Sequence, residues 1–267
     1  FTFLMVEEAF IKNYTTGNLC RCTGYKPILN AGMNIDLNDY QILAGRYHDP
    51  SMISEFIKLS KVAVELEGDQ KKLFIPTTEK QASDYLSNKT IIIKLESGGT
   101  DTGVIQNKGY GNIEKVLSLD LIMANDEVIK TKHTFEIGPQ ATWTIIEKAL
   151  AKDIPEFSNL IKIFASPQIK NTGTLVGNVA NASPIGDGIP YLMVSNAELE
   201  LCSSRGKRKI AVDSFYKGYK QMDMNCDEFI SKLIIPIPDK KTIIKLYKIS
   251  LRKDLDISAV TFAATFS

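Results

Sequence analysis

The stretch "FASPQIKNTGTLVGNVANASPIGD", Phe164–Asp187, carries no charged residue between Asn171 and Gly186. Thr172, Thr174, Asn178, Asn181 and Ser183 supply short hydrogen-bonding side chains, and Gly173, Gly177 and Gly186 clear space. Leu175, Val176, Val179 and Ile185 are interleaved with them, so the stretch is expected to lie half buried against something. Such a surface suits a diphosphate held by neutral amides and hydroxyls rather than by lysines. An irregular surface loop is the plain alternative.

A second glycine-rich turn lies upstream in "TIIIKLESGGTDTGV", Thr90–Val104. The β-branched run Thr90–Leu95 predicts a buried strand that breaks at Gly98-Gly99. A glycine pair at a strand end lets the backbone approach a ligand, and its successive N–H groups can form an anion nest. Taken alone the turn is a weak signal; beside the Asn171–Gly186 stretch it predicts two loops converging on one diphosphate. Just before it, "LFIPTTEKQASDYLS" pairs Thr78 with Gln81 as a capping box, and Ala82, Tyr85 and Leu86 form the helix's inner face. Helices and strands then alternate as far as "FISKLIIPIP", which implies an α+β or α/β unit with a mixed sheet.

The N-terminal part reads differently. Phe3, Val6, Phe10 and Tyr14 recur at a helical spacing that ends at Gly17, and Pro27 can open a second helix through Ile28, Leu29 and Ala31. Between them, "GNLCRCTGYKPI" (Gly17–Ile28) holds Cys20 and Cys22 one residue apart, which reads as half of a metal site. Residues 34–73 are polar and broken by Pro50; they read as a tether, with a helix expected over Ser51–Glu67. The first residue is Phe and the last run, "ISAVTFAATFS", stops without a turn, so both ends are expected to be cut from a longer protein.

Composition narrows the setting. The 267 residues are 44% hydrophobic and 24% charged, and 32 Lys+Arg against 31 Asp+Glu leave a net charge of +1. That balance supplies no electrostatic reason for nucleic acid or an anionic membrane as partner. No apolar run approaches a membrane span. Four cysteines are too sparse for a disulfide scaffold, which points to a reducing, cytoplasmic compartment. Cys202 and Cys226 are expected to be structural.

Five motifs occur in order: "GNLCRCTGYKPI", "SGGTDTGV", "ASPQIKNTGTLVGNVANASPIGD", "GYKQMDMNCDEFI" and "YKISLRKDLDISAV". Together they resemble the iron–sulfur and flavin subunits of bacterial xanthine dehydrogenases, in the molybdenum hydroxylase family. The resemblance implies the end of a helical [2Fe-2S] domain over 1–33, a linker over 34–73, and an FAD-binding domain over 74–238. That domain would have two subdomains of vanillyl-alcohol-oxidase type, with a C-terminal flavoprotein domain starting at 239–267. It implies that Cys20 and Cys22 are the later pair of cluster ligands, with the earlier pair upstream of Phe1. Leu95, Glu96, Ser97, Gly98, Gly99, Thr100, Asp101 and Thr102 match the first FAD loop, with Gly98–Thr100 along the diphosphate and the Asp101 side chain turned away.

By the same resemblance Phe164 packs near the flavin, Thr174, Gly177, Asn178 and Asn181 line the second loop, and Asp187 takes the ribose end. Ile230 lies by the adenine and Lys248 by the flavin. Val176 stands where the family usually has glycine, and Lys26 and Lys170 where it commonly has arginine, which loses the bidentate fork. The implied partner is a large subunit carrying a molybdenum cofactor, and the implied relay runs from a purine through two clusters to FAD and on to NAD+. Two alternatives remain: a flavin subunit acting with an aldehyde or another heterocycle, or a flavin-binding module without catalysis.

Overall fold

The structure is a computed structural model and describes residues 8–18, 22, 24–36, 43–47, 49–87, 93–111, 113–122, 127–252 and 255–266. The first part is helical: α1 (Glu8–Thr15), α2 (Lys26–Met33), α3 (Leu43–Tyr47) and α4 (Pro50–Leu59). Pro27 sits in the first turn of α2, where its missing N–H costs nothing. Ile11 is buried against Gly32, where a Cβ would come within 3.0 Å of the Ile11 side chain, so glycine sets the approach of α1 to α2.

The tether expected over 34–73 ends instead in a β-hairpin. α4 stops at Leu59, and β1 (Val64–Gly68) pairs antiparallel with β2 (Lys71–Ile75), so the helix expected as far as Glu67 is replaced by a strand. The two linking residues, Asp69 and Gln70, have φ of 47° and 65°. Two left-handed residues in a two-residue loop make the turn type whose twist matches the strands it joins.

The hairpin joins a mixed four-stranded sheet. α5 (Glu79–Leu86), β3 (Lys94–Glu96), α6 (Thr100–Asn107) and β4 (Lys115–Ser118) follow, and the strand order is β1-β2-β4-β3 with β2, β4 and β3 parallel. The Thr78 hydroxyl accepts from the Gln81 N–H at 3.2 Å, while Gln81 Oε1 reaches back to the Thr77 N–H at 2.9 Å, one residue earlier than in the usual reciprocal cap. Ala82 and Leu86 are buried as expected, and the Tyr85 ring packs 4.7 Å from that of Phe74. Of the strand expected over Thr90–Leu95, Lys94 and Leu95 lie in β3 while Ile93 precedes it; residues 88–92 lie outside the described residues.

The second lobe is a five-stranded antiparallel sheet with helices beside it. Its elements are β5 (Val128–Lys130), β6 (Thr134–Ile137), α7 (Trp143–Leu150), α8 (Pro155–Phe164), α9 (Pro167–Lys170), α10 (Leu175–Asn181), α11 (Ile189–Val194), β7 (Glu198–Ser203), β8 (Gly206–Ala211), α12 (Val212–Phe215), β9 (Tyr216–Gly218), β10 (Gln221–Met222) and β11 (Phe229–Pro236). The order β5-β6-β11-β7-β8 puts β11 at the centre. One face of this sheet packs Phe135, Ile137, Leu199, Leu201, Leu233 and Ile235 against Trp143, Ile146, Phe157, Leu175 and Tyr191 of the helices. A smaller core, with Ala82, Leu117, Cys202 and Phe229, joins β7 and β11 to the first lobe. Cys202 is buried with its Sγ 3.6 Å from Ser83 Oγ, and Cys226 is exposed. A final hairpin, β12 (Ile243–Ile249) with β13 (Val260–Phe266), lays one face on the second lobe through the buried Ile244.

An ion pair holds the loop before β11. Glu228, whose side chain is 4% exposed, accepts from Arg208 Nε at 2.8 Å and Nη2 at 2.9 Å, and from the Asn225 N–H at 2.8 Å. Its pKa is pulled from 4.5 to about 2, first by the Arg208 hydrogen bond and then by Asn225, against an opposing cost of burial. A lowered carboxyl pKa stabilises the fold above the ordinary value and loses that contribution as pH falls toward about 2. The full contribution is about 2–3 kcal/mol after allowing for the solvent exposure of Arg208. Urea unfolding of the parent between pH 5 and pH 3 (about one unit either side of an unperturbed Glu) is therefore expected to lose more stability than that of Glu228→Gln. Equal slopes would remove Glu228 from the acid response.

Candidate cofactor site

Two turns meet where the lobes face each other. The first is Ser97–Thr100, between β3 and α6; the second is Asn171–Thr174, between α9 and α10. A Cβ on Gly98 would stand 2.2 Å from the Thr172 carbonyl oxygen and 2.8 Å from the Gly173 Cα, so the backbones touch at a point where only glycine fits. Ser97 Oγ donates to the Pro139 carbonyl at 2.5 Å, which leaves the Thr174 hydroxyl to donate to Ser97 Oγ at 2.9 Å. Thr174 Oγ1 in turn accepts from the Gly177 N–H at 3.0 Å, capping α10. This chain of hydrogen bonds fixes three segments from both lobes in one register.

Lys170 secures the second turn from behind. Its side chain is 5% exposed, and its ammonium donates to Glu147 Oε2 at 3.0 Å and to the carbonyls of Ile161 and Lys162 at 3.3 and 3.4 Å. Three donors meet three acceptors, so lysine suffices here without a planar fork.

The turns border a cleft of about 680 Å³. Leu95, Glu96, Ser97, Gly98, Gly99, Thr100, Asp101, Thr102, Phe164, Thr174, Gly177, Asn178, Asn181 and Ile230 all line it, so fourteen of the sixteen expected cofactor residues are brought together. Asp101 lies in the first turn of α6 with its side chain exposed. The other two stand apart. Asp187 and Lys248 pair with each other at 2.7 Å with side chains 6% and 1% exposed. Asp187 Oδ1 also accepts from Ser258 Oγ and from Thr261 Oγ1 at 2.6 Å, and the Lys248 ammonium also donates to the Asp256 carbonyl and Ser258 Oγ. The structure therefore does not bring the expected ribose carboxylate to the cleft, because both its oxygens are already engaged.

The residues added by the structure are mostly apolar. Pro139, Trp143, Val176, Met222, Met224 and Phe229 line the cleft, together with Lys220, which sits at the β9–β10 turn with a φ of 53°. The Trp143 ring lies 4.5 Å from that of Phe164. Val176 is 4% exposed and belongs to the core of the second lobe as well as to the cleft wall.

The Phe74–Ile237 region thus presents a pocket of flavin-sized volume between two α/β lobes. The family model of the FAD binding domain in molybdopterin dehydrogenase matches residues 67–238, well over half of the chain. The chain belongs to this family. Over 195 residues it is 28% identical to the nicotinate dehydrogenase FAD-subunit of Eubacterium barkeri, covering 71% of this chain and 66% of that one. Over 303 residues it is 26% identical to the xanthine dehydrogenase/oxidase of Mus musculus, covering 96% of this chain and 22% of the relative, so it spans about a fifth of that protein's length. The fold is that of a reconstituted CO dehydrogenase structure from Oligotropha carboxidovorans, with a TM-score of 0.69, 22% identity, and coverage of 75% of this chain and 70% of that one.

The residues present fit the cofactor of this family. The first turn of α6, opened by Gly99 at φ 66°, has N–H groups without intrahelical acceptors, as an anion requires. Two polar atoms in the cleft, Glu96 Oε2 and Asn178 Oδ1, are buried without any hydrogen-bond partner, which a polar ligand would relieve. For the iron–sulfur half site, Cys22 is exposed and Cys20 lies outside the described residues. Among the described residues no group of three or more His, Cys, Asp or Glu could hold a metal.

Proposed function

We propose that this chain is the FAD-holding part of a xanthine dehydrogenase-like molybdenum hydroxylase. The observation that carries the reading is the backbone contact of Gly98 with Thr172 and Gly173, which sets two donor-rich turns side by side at the cleft, where one anion would sit. Thr100 and the Asn178 side-chain amide N–H, with the N–H groups that open α6, would hold the diphosphate. Thr174 would set the second turn through its bonds to Ser97 and Gly177, and Trp143, Phe164, Met222 and Ile230 would enclose the rings and exclude water. When bound, FAD would accept electrons originating at a molybdenum site by way of [2Fe-2S] clusters and deliver them to NAD+.

Cys20 and Cys22 would be two ligands of the nearer cluster. A contact supports this placement: Gly17, three residues before Cys20, has so little room that a Cβ would lie 2.8 Å from that of Ser166, two residues beyond the cleft-lining Phe164. The reading also makes 1–33, 74–238 and 239–267 parts of separate domains, the second extended back to Val64 by the β1–β2 hairpin, and the protein cytoplasmic. No helix among the described residues is long and apolar enough to cross a membrane.

A second reading follows from the similarity to the nicotinate dehydrogenase subunit: the partner would oxidise another nitrogen heterocycle. Anaerobic mixing of the complex, purified with its molybdenum subunit, with xanthine or with nicotinate separates the two. The first reading predicts bleaching of the flavin band by xanthine, the second by nicotinate. Bleaching by neither would contradict the relay.

A further inference from the structure

We infer that Glu96 is the carboxylate that recognises a sugar hydroxyl of the cofactor, a role that rests on the FAD reading of the cleft. A carboxylate suits vicinal hydroxyls, which donate, and repels phosphates, which accept. Asp187 cannot serve: it is 5% exposed and its two oxygens are engaged by Lys248, Ser258 and Thr261. Glu96 is the carboxylate among the cleft residues with a buried, unused oxygen.

The geometry is specific. Glu96 ends β3, and its carbonyl is held by the Leu119 N–H at 3.2 Å, so the backbone beneath the side chain is fixed by the sheet. Oε1 accepts from the Ser97 N–H at 3.3 Å and lies 3.8 Å from where a Gly99 Cβ would be, which folds the carboxylate over the start of the glycine turn. Oε2 is buried with no partner, in a cleft whose other expected polar residues offer mainly donors. A buried carboxylate oxygen left without a donor is costly, and a donor from the ligand removes that cost. The turn that follows is the one proposed to carry the diphosphate, so the donors within reach are the hydroxyls of the sugars attached to it. FAD offers two such sugars, the ribityl chain on the flavin side and the ribose on the adenine side.

The remaining charged side chains of the cleft are exposed: Lys94, Asp101 and Lys220. They are free to be solvated and leave Glu96 as the charged group of the cleft whose satisfaction depends on the ligand, beside the neutral Asn178 Oδ1.

The experiment is a set of equilibrium titrations of the parent, Glu96→Ala and Glu96→Gln with FAD, FMN and ADP. Glu96→Ala is expected to weaken FAD binding about ten- to a hundredfold, the range of a hydrogen bond to a charged group. Glu96→Gln, which keeps an acceptor, is expected to fall between alanine and the parent. Loss extending to ADP and not FMN assigns the ribose; loss extending to FMN and not ADP assigns the ribityl chain. Parental or tighter binding by Glu96→Ala would overturn the inference, as would Glu96→Gln binding no better than alanine or more tightly than the parent, since the carboxylate would then only repel the phosphates. Failure of the parent itself to bind FAD would instead overturn the reading of the cleft. A thermal melt of each variant without ligand shows that the fold is retained.

Discussion

Replacing Gly98 by alanine is expected to lower FAD affinity by at least about a hundredfold, the scale on which a displacement near 1 Å acts in a positioned site. The added Cβ would sit 2.2 Å from the Thr172 carbonyl oxygen and 2.8 Å from the Gly173 Cα. Both neighbours are backbone, so no side-chain rotation relieves the contact, and the two turns must separate. Gly99→Ala is the matched control. There the penalty is conformational, from a φ of 66°, while the nearest atom, Glu96 Oε1, is 3.8 Å away. That substitution is expected to cost about 1 kcal/mol and to leave the turns in contact. FAD titration and urea unfolding of both variants check the comparison. Parental affinity in Gly98→Ala would show that cofactor binding does not need the two turns to touch.

The largest effect on stability is expected at Asp187. Alanine there leaves the Lys248 ammonium, 1% exposed, without its ion-pair partner. Breaking a buried pair from one side costs about 3–5 kcal/mol, because the remaining charge is stranded. Lys248→Met should cost less than Asp187→Ala, since Ser258 and Thr261 continue to donate to the carboxylate. The double variant Asp187→Ala/Lys248→Met should recover much of the loss, as removing both charges also removes the desolvation cost. Urea midpoints of the four proteins measure this cycle. Additive losses would mean that the two side chains act independently. Because the pair joins β12 to the loop before α11, the same variants should loosen the final hairpin before the two lobes.

Local chemistry made several features readable in the sequence. Pro27 opens α2 and Thr78 caps α5 because both signals act within one turn of helix. The glycines and short polar side chains of Ser97–Thr100 and Asn171–Gly177 announced a close approach, and Gly98 against Thr172 is that approach. What stayed hidden depends on contacts distant in sequence or on weak turn signals. Asp69-Gln70 carries neither glycine nor asparagine, so the left-handed turn that makes β1 and β2 a hairpin gave no mark, and the region read as tether. Lys248 lies 61 residues from Asp187, and only packing of the final hairpin on the second lobe reveals that the two neutralise each other. Nothing local in the sequence singles out Trp143, Met222 or Met224 as cleft residues; sheet topology carries them there. Glu96 read as one of eight loop residues, and its unpartnered oxygen is visible only in three dimensions.

For an FAD bound between the two lobes, the chain carries its own reporter. Trp143 is the sole tryptophan, is 2% exposed, lines the cleft and stacks near Phe164. A flavin enclosed there must accept excitation energy from this indole at short range. Titrating the purified protein with FAD while following tryptophan emission tests this binding. Strong quenching is expected, saturating at one FAD per chain, with flavin fluorescence falling in parallel. Tryptophan emission unchanged by FAD, in protein shown to be folded, would contradict it.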